Sequence, residues 1–198
     1  MTSSASDTGI LLGSDGRQRC GWAGDPERDP LYASYHDEEW GVPVHGRTAL
    51  FERIMLEAFQ SGLSWITILR KRDAFRSAFV GFDPEGVARF GDDDVERLLL
   101  DASIVRNRAK IEAARTNARV IVDQNLDLDE FLWSFAPMEH SRPRTLADVP
   151  AVTAESTALA RALKKAGMAF VGPTTAYALM QATGMVDDHL VDCWVRPR

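Results

Sequence analysis

Cysteine is scarce in this chain: of 198 residues, only Cys20 and Cys193 carry a thiol. Such scarcity excludes the disulfide framework that staples small secreted domains. It leaves open a single Cys20–Cys193 bridge, which would give the nearby histidines no role. Long apolar runs are also lacking. No uncharged stretch reaches the ~18 residues that span a bilayer, and the opening MTSSASDTGILLGSDG has neither the basic start nor the hydrophobic segment of a secretory leader. A cytoplasmic protein is expected. Positive charge is in deficit, with a net −6. That argues against a protein coating nucleic acid nonspecifically, but not against one small DNA-binding face. Basic residues do cluster in LRKRDAFR, VRNRAKIEAARTNAR and RALKKAG, each of which reads first as a solvated helix face. Finally, there is no convincing period-two alternation and no repeat of solenoid length, so strands and solenoids give way to an all-α expectation.

What is present is helical periodicity broken by clear punctuation. Residues 1–18, rich in Ser, Gly, Thr and Asp, read as a flexible tail, and 19–198 as one domain. The segment 20–47 is too aromatic for an idle loop and too rich in Pro and Gly for one long helix. From Thr48 to Leu69, Phe51, Ile54, Met55, Ala58, Gly62, Trp65 and Leu69 recur at helical spacing, with Gly62 and Ser64 expected to split the run. Asp83 is placed to cap a short helix that Pro84 opens, and GDDDVERLLLDAS puts acidic residues where a helix dipole favours them. Further helices are expected through VRNRAKIEAARTNARVIVDQ, DLDEFLWSFA, TAESTALARALKKAG and PTTAYALMQATG.

Three constellations carry chemistry. Cys20 and His36 lie near one end of the chain, His189 and Cys193 near the other. Thiolate and imidazole are preferred Zn²⁺ ligands, and two of each make a closed tetrahedral site. On a helix, His189 and Cys193 would share a face. Incidental placement of these residue types is the competing reading. His45 and His140 sit in loops and read as surface histidines.

The second is KKAGMAFVGPTTAYALMQATG, where Gly167 ends one helix and Gly172-Pro173 begins another. A helix-hairpin-helix element of this form, spanning about 158–184, holds a DNA phosphate on backbone N–H groups at a helix N-terminus and so needs little side-chain charge. An αα-hairpin whose glycines serve packing alone is the alternative. The third is Glu57, at the edge of an apolar helix face, with Trp22, Tyr32, Tyr35, Trp40 and Trp65 in the same third of the chain. Aromatic faces around a carboxylate suit a flat cationic ligand such as an alkylated purine. Packing rings and a boundary glutamate reaching water are the plainer alternative.

Taken together, RCGW, DPLYASYHDEEWGVP, LFERIMLEAFQSGLSWITIL, VERLLLDASIVRNRAKIEAARTNAR, FLWSF and LKKAGMAFVGPTTAYALMQATGMVDDH, with the final Cys193, resemble the 3-methyladenine DNA glycosylase I family. This family is a divergent branch of the helix-hairpin-helix glycosylases, and the likeness runs from about Cys20 to Trp194. The resemblance implies an all-α fold of two lobes whose termini are tied by one structural Zn²⁺ on Cys20, His36, His189 and Cys193. It implies that Glu57 contacts the excised base, that Tyr35 and Trp65 line its pocket with Trp22 and Tyr32 nearby, and that DNA is gripped by the hairpin at 167–172. Relatives in the wider superfamily carry a catalytic aspartate some twenty residues beyond the hairpin. Asp187 and Asp188 stand closer to it, beside a zinc-ligand position, and neither is assigned that role.

The implied reaction is monofunctional hydrolysis of the N-glycosidic bond of 3-methyladenine in double-stranded alkylated DNA, by a monomer. Methylation leaves the purine cationic, so the enzyme has to flip the base and favour its charge rather than protonate it. Lys164 and Lys165 precede the hairpin, where a lyase would hold a Schiff-base lysine, but paired lysines facing DNA phosphate are the simpler reading. A zinc-stabilised lesion-binding module without catalysis, and an AP lyase, are the alternatives.

Overall fold

In the computed structural model, which describes residues 9–196, strand β1 (Ile10–Leu12) pairs antiparallel with β2 (Gln18–Cys20), Ile10 opposite Cys20. This hairpin corrects the reading of residues up to 18 as a tail. Three-residue strands are too short to display an alternation, so the pattern gave no warning. The earlier part of that tail, residues 1–8, lies outside the described residues. Otherwise the chain is helical, and it groups into two units.

The first unit contains residues 9–43, 137–151 and 180–196. Helix α1 (Pro30–Glu38) starts at a proline, whose missing N–H costs nothing at that position. Ile10, Cys20, Leu190, Cys193 and Val195 form a buried cluster, with Trp22 and Trp194 packed against it. Gly184 has φ +73°, and a Cβ there would stand 2.6 Å from Pro43 N and 2.7 Å from Val42 C. Both obstacles are backbone, so nothing can swing aside. Gly184→Ala is expected to cost about 3 kcal/mol, lowering Tm by roughly 6–12 °C in a thermal melt. An unchanged Tm would mean that the 41–43 backbone yields.

The second unit contains residues 44–136 and 152–179. Helix α2 (Arg47–Gln60) ends at Ser61, Gly62 turns at φ +81°, and α3 (Trp65–Leu69) begins after Ser64, the expected split. Helix α4 (Arg72–Ala78) follows. The Asp83 side chain accepts from Gly86 N at 2.8 Å and Pro84 opens α5 (Pro84–Ala88), as its spelling foretold. Asp92, Asp93 and Asp94 start α6 (Asp92–Leu100). Asn107 and Asp127 cap α7 (Arg108–Asp123) and α8 (Leu128–Trp133). Thr153 caps α9 (Ala154–Ala166), which stops at a left-handed Gly167, and α10 (Pro173–Ala182) starts at its proline. The core is a cluster of fully buried phenylalanines: Phe59 lies 4.7 Å from Phe75, and Phe79 stacks on Phe82 at 5.5 Å. Packing of this kind holds α2 and α4 against each other by apolar burial and ring–edge attraction.

Candidate functional site

Strand β2 delivers Cys20, α1 delivers His36, and the C-terminal turns deliver Cys193. Their ligating atoms all lie within 4.8 Å of one another, and all three residues are buried. Neither cysteine is in a disulfide. The Cys193 Sγ stands 3.5 Å from His36 Nε2. Leu190 N donates to Cys20 Sγ at 3.3 Å. A hydrogen bond between the two sulfurs pushes the Cys20 thiol well above its ordinary range, with burial adding to it, and draws Cys193 down.

His189 comes beside this cluster but is not one of the three. Its ring centroid is 4.8 Å from that of His36, with Nε2 turned 3.3 Å from the His36 carbonyl. The segment carrying it is a series of turns rather than the expected helix, with Cys193 N donating to Leu190 O at 2.8 Å. His189 and Cys193 are therefore not brought together by an i, i+4 helix face. Asp187, a residue sequence reading left without a role, accepts from His189 Nδ1 at 2.9 Å and from Arg142 Nε at 2.8 Å. Asp188 meets His140 at 3.0 Å and accepts from Gln181 at 2.7 Å, so His140 is a partner within the fold rather than an idle surface ring.

His36 has the same support on its other nitrogen: Nδ1 is 2.8 Å from Asp37. Asp37 also accepts from Arg19 at 2.7 Å and from Trp194 Nε1 at 3.1 Å. Burial alone would raise the Asp37 carboxyl, but Arg19, His36 and Trp194 together hold it below the usual carboxylate range. Each histidine thus has Nδ1 tied to a carboxylate; His36 Nε2 faces the Cys193 sulfur, whereas His189 Nε2 faces the His36 carbonyl. That is the outer-shell arrangement metal-ligating histidines use to fix ring and tautomer. Two sulfurs, two imidazoles and burial fit a closed, soft-donor cation site, and the chemistry of the set suits Zn²⁺.

The aromatics of this unit ring the cluster. Trp22 packs 5.1 Å from Tyr32, 5.1 Å from His36 and 4.9 Å from Trp40, with Tyr35 at 6.5 Å. Tyr35 is buried; Trp22 and Tyr32 are half-buried. Trp22, in the turn after β2, is therefore brought together with Tyr32 and Tyr35, which share α1 with His36.

Glu57 lies in the second unit, on the last turns of α2, and is only 5% exposed. It is not a boundary residue reaching water. No hydrogen bond from the described residues holds its carboxylate; burial pushes it up to about 8, and Arg53, one turn earlier, offsets part of that rise. It faces a narrow crevice with Ile54, Leu163, Val171, Thr175 and Leu179. Four of these five come from α9, α10 and the turn between them. A buried carboxylate without a donor is costly, and such groups concentrate where a ligand supplies the missing partner. Trp65, also in this unit, is buried at the first position of α3.

The turn between α9 and α10 has the expected ends, with Gly167 left-handed at φ +103° and Pro173 opening α10; within it Phe170 is also left-handed, at φ +56°. Lys164 and Lys165 are exposed on the last turn of α9. The other basic clusters are engaged within this unit: Arg76 binds Glu52, Arg108 binds Glu96, and Arg115 binds Asp92. Two buried polar side chains on α7 escaped sequence reading altogether. Lys110 donates to the carbonyls of Phe59 and Ser61 at the end of α2 (2.9 and 2.5 Å), and Asn117 binds Ala169 in the hairpin. Nothing in their spelling distinguishes them from solvent-facing positions.

Comparison with known proteins gives a uniform answer. A family model described as methyladenine glycosylase matches residues 22–196. The DNA-3-methyladenine glycosylase 1 of Escherichia coli (strain K12) is 46% identical over 185 residues, covering 91% of this chain and 97% of that protein. A crystal structure of 3-methyladenine DNA glycosylase I superposes with a TM-score of 0.86 at 46% identity, covering 91% of this chain and all of the other. The Staphylococcus aureus 3-methyladenine DNA glycosylase I, whose structure addresses 3-methyladenine recognition, gives a TM-score of 0.81 at 36% identity and covers 86% of this chain and 94% of that one.

Proposed function

The chain belongs to the methyladenine glycosylase family, and from that premise we infer how its own residues carry out the family's reaction. The protein is a base-excision glycosylase, a hydrolase that cleaves the N-glycosidic bond of 3-methyladenine in DNA. Methylation makes the purine a cationic leaving group, so catalysis needs extrusion of the base and a site that favours its charge.

The observation that carries the residue-level reading is Glu57: a buried carboxylate, without a hydrogen-bond donor among the described residues, facing a crevice. A cationic base supplies both the missing donors and the missing charge, and the charge-assisted hydrogen bonds that result are strong. As the glycosidic bond breaks, positive charge moves toward the sugar, where a nearby carboxylate remains favourable. Trp65 in the second unit, and Tyr35, Tyr32 and Trp22 in the first, are the rings whose faces suit stacking and cation–π contact with a cationic purine.

Backbone N–H groups at the start of α10, with Gly167 and Gly172 bounding the turn and Lys164 and Lys165 beside it, form a helix-hairpin-helix grip on duplex phosphate. Cys20, His36, His189 and Cys193 would hold one Zn²⁺. When bound, the metal supplies cross-linking rather than chemistry, and its binding energy counts as folding energy. His189, whose Nδ1 is held by Asp187, would be the fourth ligand of that set. The enzyme is read as a monofunctional, cytoplasmic monomer acting on double-stranded DNA. No helix among the described residues is long and apolar enough to cross a membrane.

The direct test is release of free base from methylated duplex DNA, resolved by chromatography, with borohydride added in parallel. Free 3-methyladenine and no trapped protein–DNA adduct is the expected result. An adduct would identify a lyase. Folded protein that binds the duplex and releases nothing would leave a lesion-binding module.

A further inference from the structure

Phe170 combines two features that apolar residues avoid. Its backbone is left-handed at φ +56°, a region that disfavours bulky L-residues, and its side chain is 39% exposed. Among the described residues, three others that are not glycine have positive φ. Phe82 is fully buried in the phenylalanine core. Asn125 is a residue type that tolerates the conformation. Val80 shares both features of Phe170, at φ +47° and 50% exposed, and its Cγ2 lies only 2.6 Å from where a Cβ on Gly86 would sit. What sets Phe170 apart from Val80 is its place, in the turn between α9 and α10, next to Val171 of the Glu57 crevice.

The strain is imposed from outside the turn. Asn117, wholly buried on α7, accepts from Ala169 N at 2.8 Å and donates to Ala169 O at 3.0 Å, matching both hydrogen-bonding groups of one peptide residue. Its amide also approaches Met55 Sδ at 3.4 Å. Met168 N donates to Leu163 O, and the side chains of Met168 and Val171 are buried on either side. With residues 168, 169 and 171 fixed, residue 170 has to bulge outward. Val171 lines the Glu57 crevice, so adjacent residues of one turn face the carboxylate and the solvent. Lys164 and Lys165 give the same end of α9 a positive charge.

We propose that Phe170 is a DNA-contact residue, an apolar surface held outward by the Asn117 clamp to pack on the deoxyribose backbone of duplex DNA beside the phosphate gripped at α10. Asn117 is then its positioning residue. This rests on the DNA-binding reading of the hairpin above. Glycine in the same place would suit the backbone better, so the ring is kept for what it touches.

The test compares Phe170→Gly and Phe170→Asn with the wild type. Each protein is titrated against a duplex bearing a tetrahydrofuran abasic analogue, which is bound without chemistry, and each is melted. Both substitutions suit a left-handed backbone, so Tm is expected to hold or rise. Affinity is expected to fall about tenfold, equal to ~1.4 kcal/mol. Because no charge is lost, the slope of log Kd against log salt should match that of the wild type, whereas Lys164→Ala should shallow it by ~0.9. Wild-type affinity in both variants would overturn the proposal, as would a marked fall in Tm in either, which would make Phe170 a packing residue. A wild-type protein that does not bind the duplex would instead overturn the hairpin reading itself.

Discussion

Glu57→Gln is expected to leave the protein folded and to lower 3-methyladenine excision about 100-fold, the scale seen when one preorganised electrostatic group is removed from a transition state. The amide keeps shape and volume but loses the charge that a cationic purine needs. Stability should move the opposite way. Below pH 4.5 Glu57 is protonated in both the folded and the unfolded chain and costs nothing. Between 4.5 and about 8 the unfolded chain gives up that proton while the folded protein retains it. The unfolded state then binds fewer protons, so this group lowers stability as pH rises through that window, and above about 8 the loss is complete. Chemical denaturation at pH 6 and pH 9 should therefore find the variant more stable than the wild type, by roughly a few kcal/mol at the higher pH. Activity follows the ionised form: kcat/KM of the wild type should climb with pH toward about 8, and the Gln variant should lack that limb. Wild-type excision by Glu57→Gln would remove the carboxylate from the mechanism.

Metal loss is the second large effect. Cys193→Ala should purify without zinc, whereas the wild type should carry one Zn²⁺ per chain by plasma emission analysis. The apparent binding energy of structural zinc sites makes a loss of order 5 kcal/mol or more reasonable. For this chain length that is ~10–20 °C in Tm. A strong chelator should reproduce the shift in the wild type and do nothing to the variant. His189→Ala tests the fourth position separately, because the ligating atoms of Cys20, His36 and Cys193 already lie within 4.8 Å of one another. It should still bind zinc, but more weakly, with water entering the vacated position. His140→Ala, which removes a partner of Asp188 rather than a ligand, should keep the full metal content. A metal-free wild type whose Tm ignores the chelator would reduce the cluster to a hydrogen-bonded core.

Much of the helical order was legible because its determinants are local. Asp83-Pro84, Asn107, Asp127 and Thr153 cap helices through atoms two or three residues away, and Gly62 and Gly167 end them through their own φ. Recognition of the family was equally a property of the spelling, since several ordered blocks carry it independently. The candidate ligands and Glu57 could be named for the same reason. Their surroundings could not. The β1–β2 hairpin is made by pairing rather than by composition, and the turn structure around His189 replaced a helix face that spacing alone had suggested.

By itself, then, the sequence determined the residue types, the helix ends and the family. The tertiary structure alone decided that Glu57 is buried without a donor among the described residues, that Asp37 and Asp187 hold the two histidine rings, and that Asn117 clamps Ala169 beside the left-handed Phe170. Each of those depends on partners brought from distant positions, where burial and hydrogen-bond geometry, rather than nearest-neighbour chemistry, set the energy.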